Sequence, residues 1–93
     1  MKLFNCGSLF VDPEVFDLVT EPEINVLIDF HSNGLFNEIS EGDKLRNHLA
    51  LRSHGKIRSV YSLAKDKKVL ITTDIEESYT VVRAIKSVRN VIN

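Results

Sequence analysis

Ninety-three residues, 43% hydrophobic and 27% charged, describe one soluble globular domain near the lower end of sizes that fold without disulfides or metals. A single cysteine, Cys6, excludes an intrachain disulfide, and no apolar run approaches the roughly 20 residues needed to cross a bilayer. No charged leader with an apolar run and a small-residue cleavage site opens the chain, so the cytoplasm is the expected compartment.

The net charge of −1 hides a division: residues 1–43 carry nine acids against Lys2, a net of −8, whereas residues 44–93 carry eleven bases against four acids, a net of +7. Such asymmetry suits an anion-facing surface, or two halves that attract each other within one domain or between subunits. A chain of this size buries only about 60 to 65% of its unfolded surface, so self-association into a homo-oligomer is expected to supplement a modest core.

Taken in chain order, residues 7–11, "GSLFV", read as a short strand, and Asp12 with Pro13 as the start of a short helix over 13–19. "TEPE" at 20–23 is a stronger start. Thr20 can cap, Pro22 fits the first turn, and Glu23 is the third-position partner of a capping box, so a helix is predicted over 21–32. Its apolar face is Ile24, Leu27 and Ile28, then His31, with Asn33 and Gly34 as a left-handed stop. Ser40 and Asp43 open a second helix over about 41–53, ended by Gly55, with Asp43, Asn47 and Ala50 on one stripe.

From Lys56 the spacing changes to alternation: "KIRSVYSL", a turn "AKDKK", "VLITTD", a turn "IEE" and "SYTVV". These predict an antiparallel meander of three or four strands with two or three helices on one face, an α+β fold. Pairing the first hairpin at residue numbers summing to 131 and the second at 152 gathers Ser59, Tyr61, Leu70, Thr72, Asp74, Ser78, Thr80 and Val82 on one face. Val60, Val69, Ile71, Thr73, Tyr79 and Val81 then form the apolar face beneath the helices. Ile85, Val88 and Ile92 recur at helical spacing, so residues 84–93 are expected to close as a short helix.

The run "HSNG" at 31–34, "DKLRNHLA" at 43–50, "GKIRSVYSL" at 55–63 and "VLITTDIEESYTVV" at 69–82 resembles a family of small uncharacterised proteins of bacterial phages, plasmids and other mobile elements. The resemblance implies a habitat in a host cytoplasm and carries no chemistry with it.

Among candidate chemistries, His31, His48 and His54 lack a second ligand at metal-binding spacing, so neither metal nor cofactor is expected, and His31 reads as a core or rim histidine. Ser59 or Ser78 with His31 and Asp74 could be drawn as a hydrolase, but no local nucleophile elbow imposes that geometry, and Asp74 reads equally as a turn residue bonding the amides after it. Lys56, Arg58, Lys65, Lys67, Lys68, Arg83, Lys86 and Arg89 suggest nucleic acid, against which stand a pI of about 6.3 and only two tyrosines for stacking. The favoured expectation is a non-enzymatic protein that binds and withholds a small anionic, nucleotide-derived molecule, as an antagonist of host defence signalling would. His31 and Tyr61 would line the pocket; Asn47, Ser59, Thr72, Asp74, Ser78 and Thr80 would bond polar edges; Arg52 or Arg58 would meet phosphate. The alternative is an inhibitor of a host protein complex that uses the acidic N-terminal half, with a small hydrolase behind it.

Overall fold

The computed structural model describes residues 2–63 and 67–86. Its elements are β1 (Ser8–Val11), a 3-10 helix (Pro13–Asp17), α1 (Glu21–Ser32), α2 (Glu41–Ser53), β2 (Lys56–Ser62), β3 (Lys67–Asp74) and β4 (Tyr79–Lys86). The fold is α+β, one four-stranded sheet with the helices on one face, in the order β1-β4-β3-β2. β2, β3 and β4 form the expected antiparallel meander, but β1 adds parallel to β4, so the sheet is mixed. A parallel pair needs a crossover longer than a hairpin, which the helices together with β2 and β3 supply between β1 and β4.

Local signals place the helices. Thr20 and Glu23 exchange both bonds of the capping box: the Glu23 amide donates to Thr20 Oγ1 at 3.4 Å and the Thr20 amide to Glu23 Oε1 at 2.8 Å. The left-handed turn after α1 falls on Gly34 (φ 89°), while Asn33 stays right-handed and donates its side-chain amide to the Asp29 carbonyl. Ser40 Oγ accepts the Asp43 amide at the start of α2, and His54 (φ 59°), not Gly55, takes the left-handed cap at its end. The segment expected as a helix over 13–19 is tighter and shorter, the 3-10 helix Pro13–Asp17.

Both hairpin registers differ from expectation by one residue. β2 and β3 pair Lys56 with Asp74 and Ser62 with Lys68, a sum of 130; β3 and β4 pair Asp74 with Tyr79, a sum of 153. The second hairpin closes with four residues, Ile75 to Ser78, rather than three. The Ser78 amide donates to the Asp74 carbonyl at 2.8 Å, Asp74 Oδ1 accepts the Glu77 amide at 3.0 Å, and Ser78 itself is left-handed (φ 63°). A one-residue shift sends every side chain of the partner strand to the opposite face. β3 keeps its expected orientation and β2 and β4 are reversed against it: Ser59, Tyr61, Thr80 and Val82 join Val69, Ile71 and Thr73 beneath the helices, while Val60, Tyr79 and Val81 emerge on the open face. Residues 84–86 continue β4 as strand, so the expected C-terminal helix does not begin there; its remainder, 87–93, lies outside the described residues.

The core has two apolar parts. Val15, Val19 and Ile24 meet Tyr61, Val69, Ile71 and Val82 over one half of the sheet, and Phe4, Phe36 and Ala50 meet Ile57 over the other. β2 lies at the sheet edge, where unpaired backbone groups invite unwanted strand addition. The chain covers them. The Asn47 side chain on α2 bonds both backbone groups of Arg58, donating Nδ2–H to its carbonyl at 2.8 Å and accepting its amide at 3.0 Å. Two residues on, the Val60 amide donates to the Phe36 carbonyl and the Glu38 amide to the Val60 carbonyl, through a short bridge at left-handed Asn37 (φ 64°).

Candidate functional site

The sequence-predicted site residues divide between two faces of the sheet. His31, Ser59, Tyr61 and Thr80 are buried beneath the helices, on the side of the sheet opposite its open face. They are matched internally, together with Thr73. The Thr80 hydroxyl donates to the Cys6 carbonyl at 2.6 Å, which uses its one proton. Thr73, 2.6 Å from Thr80 Oγ1, must then donate to it. Thr73 Oγ1 therefore accepts His31 Nε2–H at 2.9 Å, and the remaining imidazole nitrogen, Nδ1, accepts the Ser59 hydroxyl at 2.5 Å. One carbonyl at the end of the chain thus sets every donor before it, including the histidine tautomer. Phe4 and Phe36 pack edge-on against the His31 ring, at 5.1 and 6.4 Å between centroids, and burial lowers its pKa to about 4, so the ring is neutral at physiological pH. The Tyr61 hydroxyl donates to the Leu35 carbonyl at 2.6 Å, and burial pushes its pKa up to about 12, against a smaller opposing effect of Ser59.

Arg52 and Ser78 also stand apart from any common site. Arg52 is exposed on the last turn of α2, and Ser78 occupies the exposed hairpin turn, where its carbonyl accepts the Ser8 amide.

The other face of the sheet is open. Arg58, Thr72 and Asp74 point onto it, with Asn47 at the rim where it holds the β2 edge. They line a groove of about 530 Å³ with Leu70 and Val81 on its floor, Tyr79 as an aromatic wall, and Lys56, Arg83 and the Asp43/Arg46 pair around it. The volume falls within the range of about 300 to 1,000 Å³ usual for small-molecule sites. Two of the four cations have partners: Arg46 donates to Asp43 at 2.7 Å, and Arg83 lies 3.9 Å from Asp12. Among the described residues no carboxylate comes within 4.0 Å of the Lys56 or Arg58 side chain. Both are exposed and sit two residues apart on one face of β2.

Tyr79, Val81, Arg83 and Arg46 were not among the expected site residues. The first three follow from alternation along β4 once Asp74 is opposite Tyr79, so the missing information was the four-residue turn. Arg46 reaches the groove only because Asn47 clamps α2 against Arg58. Among the described residues no cluster of three metal-ligating side chains occurs, and no helix is long and apolar enough to cross a membrane. No protein-family model, curated protein or solved structure matches the chain.

Proposed function

We propose that the open-face groove binds a small anionic, nucleotide-derived molecule and holds it without chemical change. One observation carries this reading: Lys56 and Arg58 project, without carboxylate partners among the described residues, beside a floor of Leu70, Val81 and Thr72 walled by Tyr79. Cations next to an apolar and aromatic surface match a ligand that is charged at one part and flat and apolar at another. Holding rather than cleaving is favoured because the side chains that could form a nucleophile and its base, Ser59 and His31, are sealed in the core and bonded to each other. In the setting implied by the resemblance to proteins of mobile elements, withholding such a molecule in the host cytoplasm would blunt a defence signal.

The test is a mass spectrum of small molecules released by denaturing protein purified from cells, with thermal shifts against a nucleotide panel, since binding to the native state raises its apparent stability. A bound anion, and a shift that Lys56→Ala and Arg58→Ala each diminish, are expected. Neither substitution disturbs the fold: both side chains are exposed, and Asn47 holds the backbone, not the side chain, of Arg58. An empty protein, no shift across the panel, and stoichiometric recovery of one host protein in a pull-down would replace this reading with inhibition of a host complex.

A further inference from the structure

Register places the open-face residues in rows across the strands. One row runs Phe10, Val81, Thr72, Arg58 from β1 to β2; the next runs Ser8, Tyr79, Asp74, Lys56. The face thus has an aromatic end and a basic end. Phe10 is 57% exposed, which no contribution to the core accounts for, and it meets Tyr79 edge-on at 6.2 Å between ring centroids. An edge-on pair leaves the face of a ring available to a third flat group. At the other end Lys56 and Arg58 stand on the same face of one strand, about 7 Å apart from the rise per residue.

Three strand spacings of about 4.8 Å put the Phe10 and Arg58 backbones about 14 Å apart. A lone phosphate cannot engage both ends. Resting on the proposed anion site, we infer that the ligand is a nucleoside carrying at least two phosphates, its base against Phe10 and Tyr79 and its phosphates at Lys56 and Arg58. Asp74, between the two ends, agrees with this order. Its carboxylate repels a phosphate placed there and accepts from a hydroxyl, as a ribose in the middle of the ligand would present.

Calorimetric titration of the whole chain with ADP, AMP, pyrophosphate and ribose 5-phosphate separates this inference from the reading beneath it. ADP is expected to bind roughly tenfold or more tightly than pyrophosphate, as one stacked base contributes, and more tightly than AMP. Phe10→Ala should collapse the ADP-to-pyrophosphate ratio toward one, and Phe10→Trp should restore it, which guards against a simple folding defect. If pyrophosphate binds as well as ADP, or Phe10→Ala leaves the ratio intact, the aromatic end has no role and the inference fails while the anion site stands. If none of the four binds, both fail. If a single-stranded oligonucleotide outcompetes ADP at equal nucleotide concentration, the partner is a nucleic acid and the nucleoside-diphosphate assignment is overturned.

Discussion

Acidification should destabilise this protein through one residue. His31 is fully buried, neutral, and accepts the Ser59 hydroxyl on the nitrogen that a second proton would occupy. Its pKa is about 4 in the fold against an ordinary value of 6.5. Between those values the unfolded chain binds a proton that the folded chain refuses, so the stability due to the neutral ring is complete above pH 6.5 and is lost as pH falls toward 4. The gap corresponds to about 3 kcal/mol in full, of which about 2 kcal/mol is gone by about pH 5. That end point separates the histidine from the carboxylates. Glu23 and Glu38, with pKa values lowered by the Thr20 amide and by the Lys68 side chain respectively, withdraw their contributions only below their ordinary 4.5. Urea unfolding at about pH 7.5 and about pH 5, with the midpoint converted through a common slope, gives the difference directly. An imidazole titration of the folded protein by NMR provides the second reading. Equal stability at the two pH values, or a folded His31 titrating near its ordinary value, would refute the sealed network.

Three further outcomes test the architecture. Thr73→Val keeps the volume but strands the His31 Nε2–H, so it should cost about 1 to 3 kcal/mol, and nitrogen NMR of the unaltered protein should find Nε2 protonated and Nδ1 bare. Asn47→Ala removes both bonds to the Arg58 backbone and should cost about 2 to 3 kcal/mol, with faster hydrogen exchange at the Arg58 amide. Asn47→Asp should not rescue it, because a carboxylate would face the Arg58 carbonyl; wild-type stability in that variant would contradict the clamp. Gly7→Ala should destabilise by more than about 2 kcal/mol in a thermal or urea melt, since Gly7 is left-handed (φ 67°) and an added Cβ would lie 2.0 Å from the Ser78 carbonyl oxygen.

Much of the fold was legible because its signals are local. Thr20 and Glu23 bracket the start of α1, Ser40 that of α2, and the change from helical spacing to alternation at Lys56 marks the meander; each depends on neighbours a few residues apart. The faces of the sheet were not legible, because they depend on how the hairpins close. Ser78 adopting a left-handed conformation, and Asp74 bonding the Glu77 amide, moved Tyr79 opposite Asp74 and carried Thr80 under the helices, while the separate one-residue shift of the β2–β3 pairing carried Ser59 there. Nor could the residues there be recognised as partners. Ser59 and Thr80 look like solvent-facing strand residues until His31, 28 positions before the nearer of them, bonds Ser59 directly and Thr80 through Thr73.

The amino-acid order alone therefore determined the α+β class, the limits of α1 and α2 and the alternating strands, since capping and periodicity act over single turns and single strands. Tertiary structure alone decided which hydroxyls are sealed and which cations stand without a carboxylate partner among the described residues. A strand has two faces with the same sequence period, and only pairing with its neighbours selects the one that burial claims.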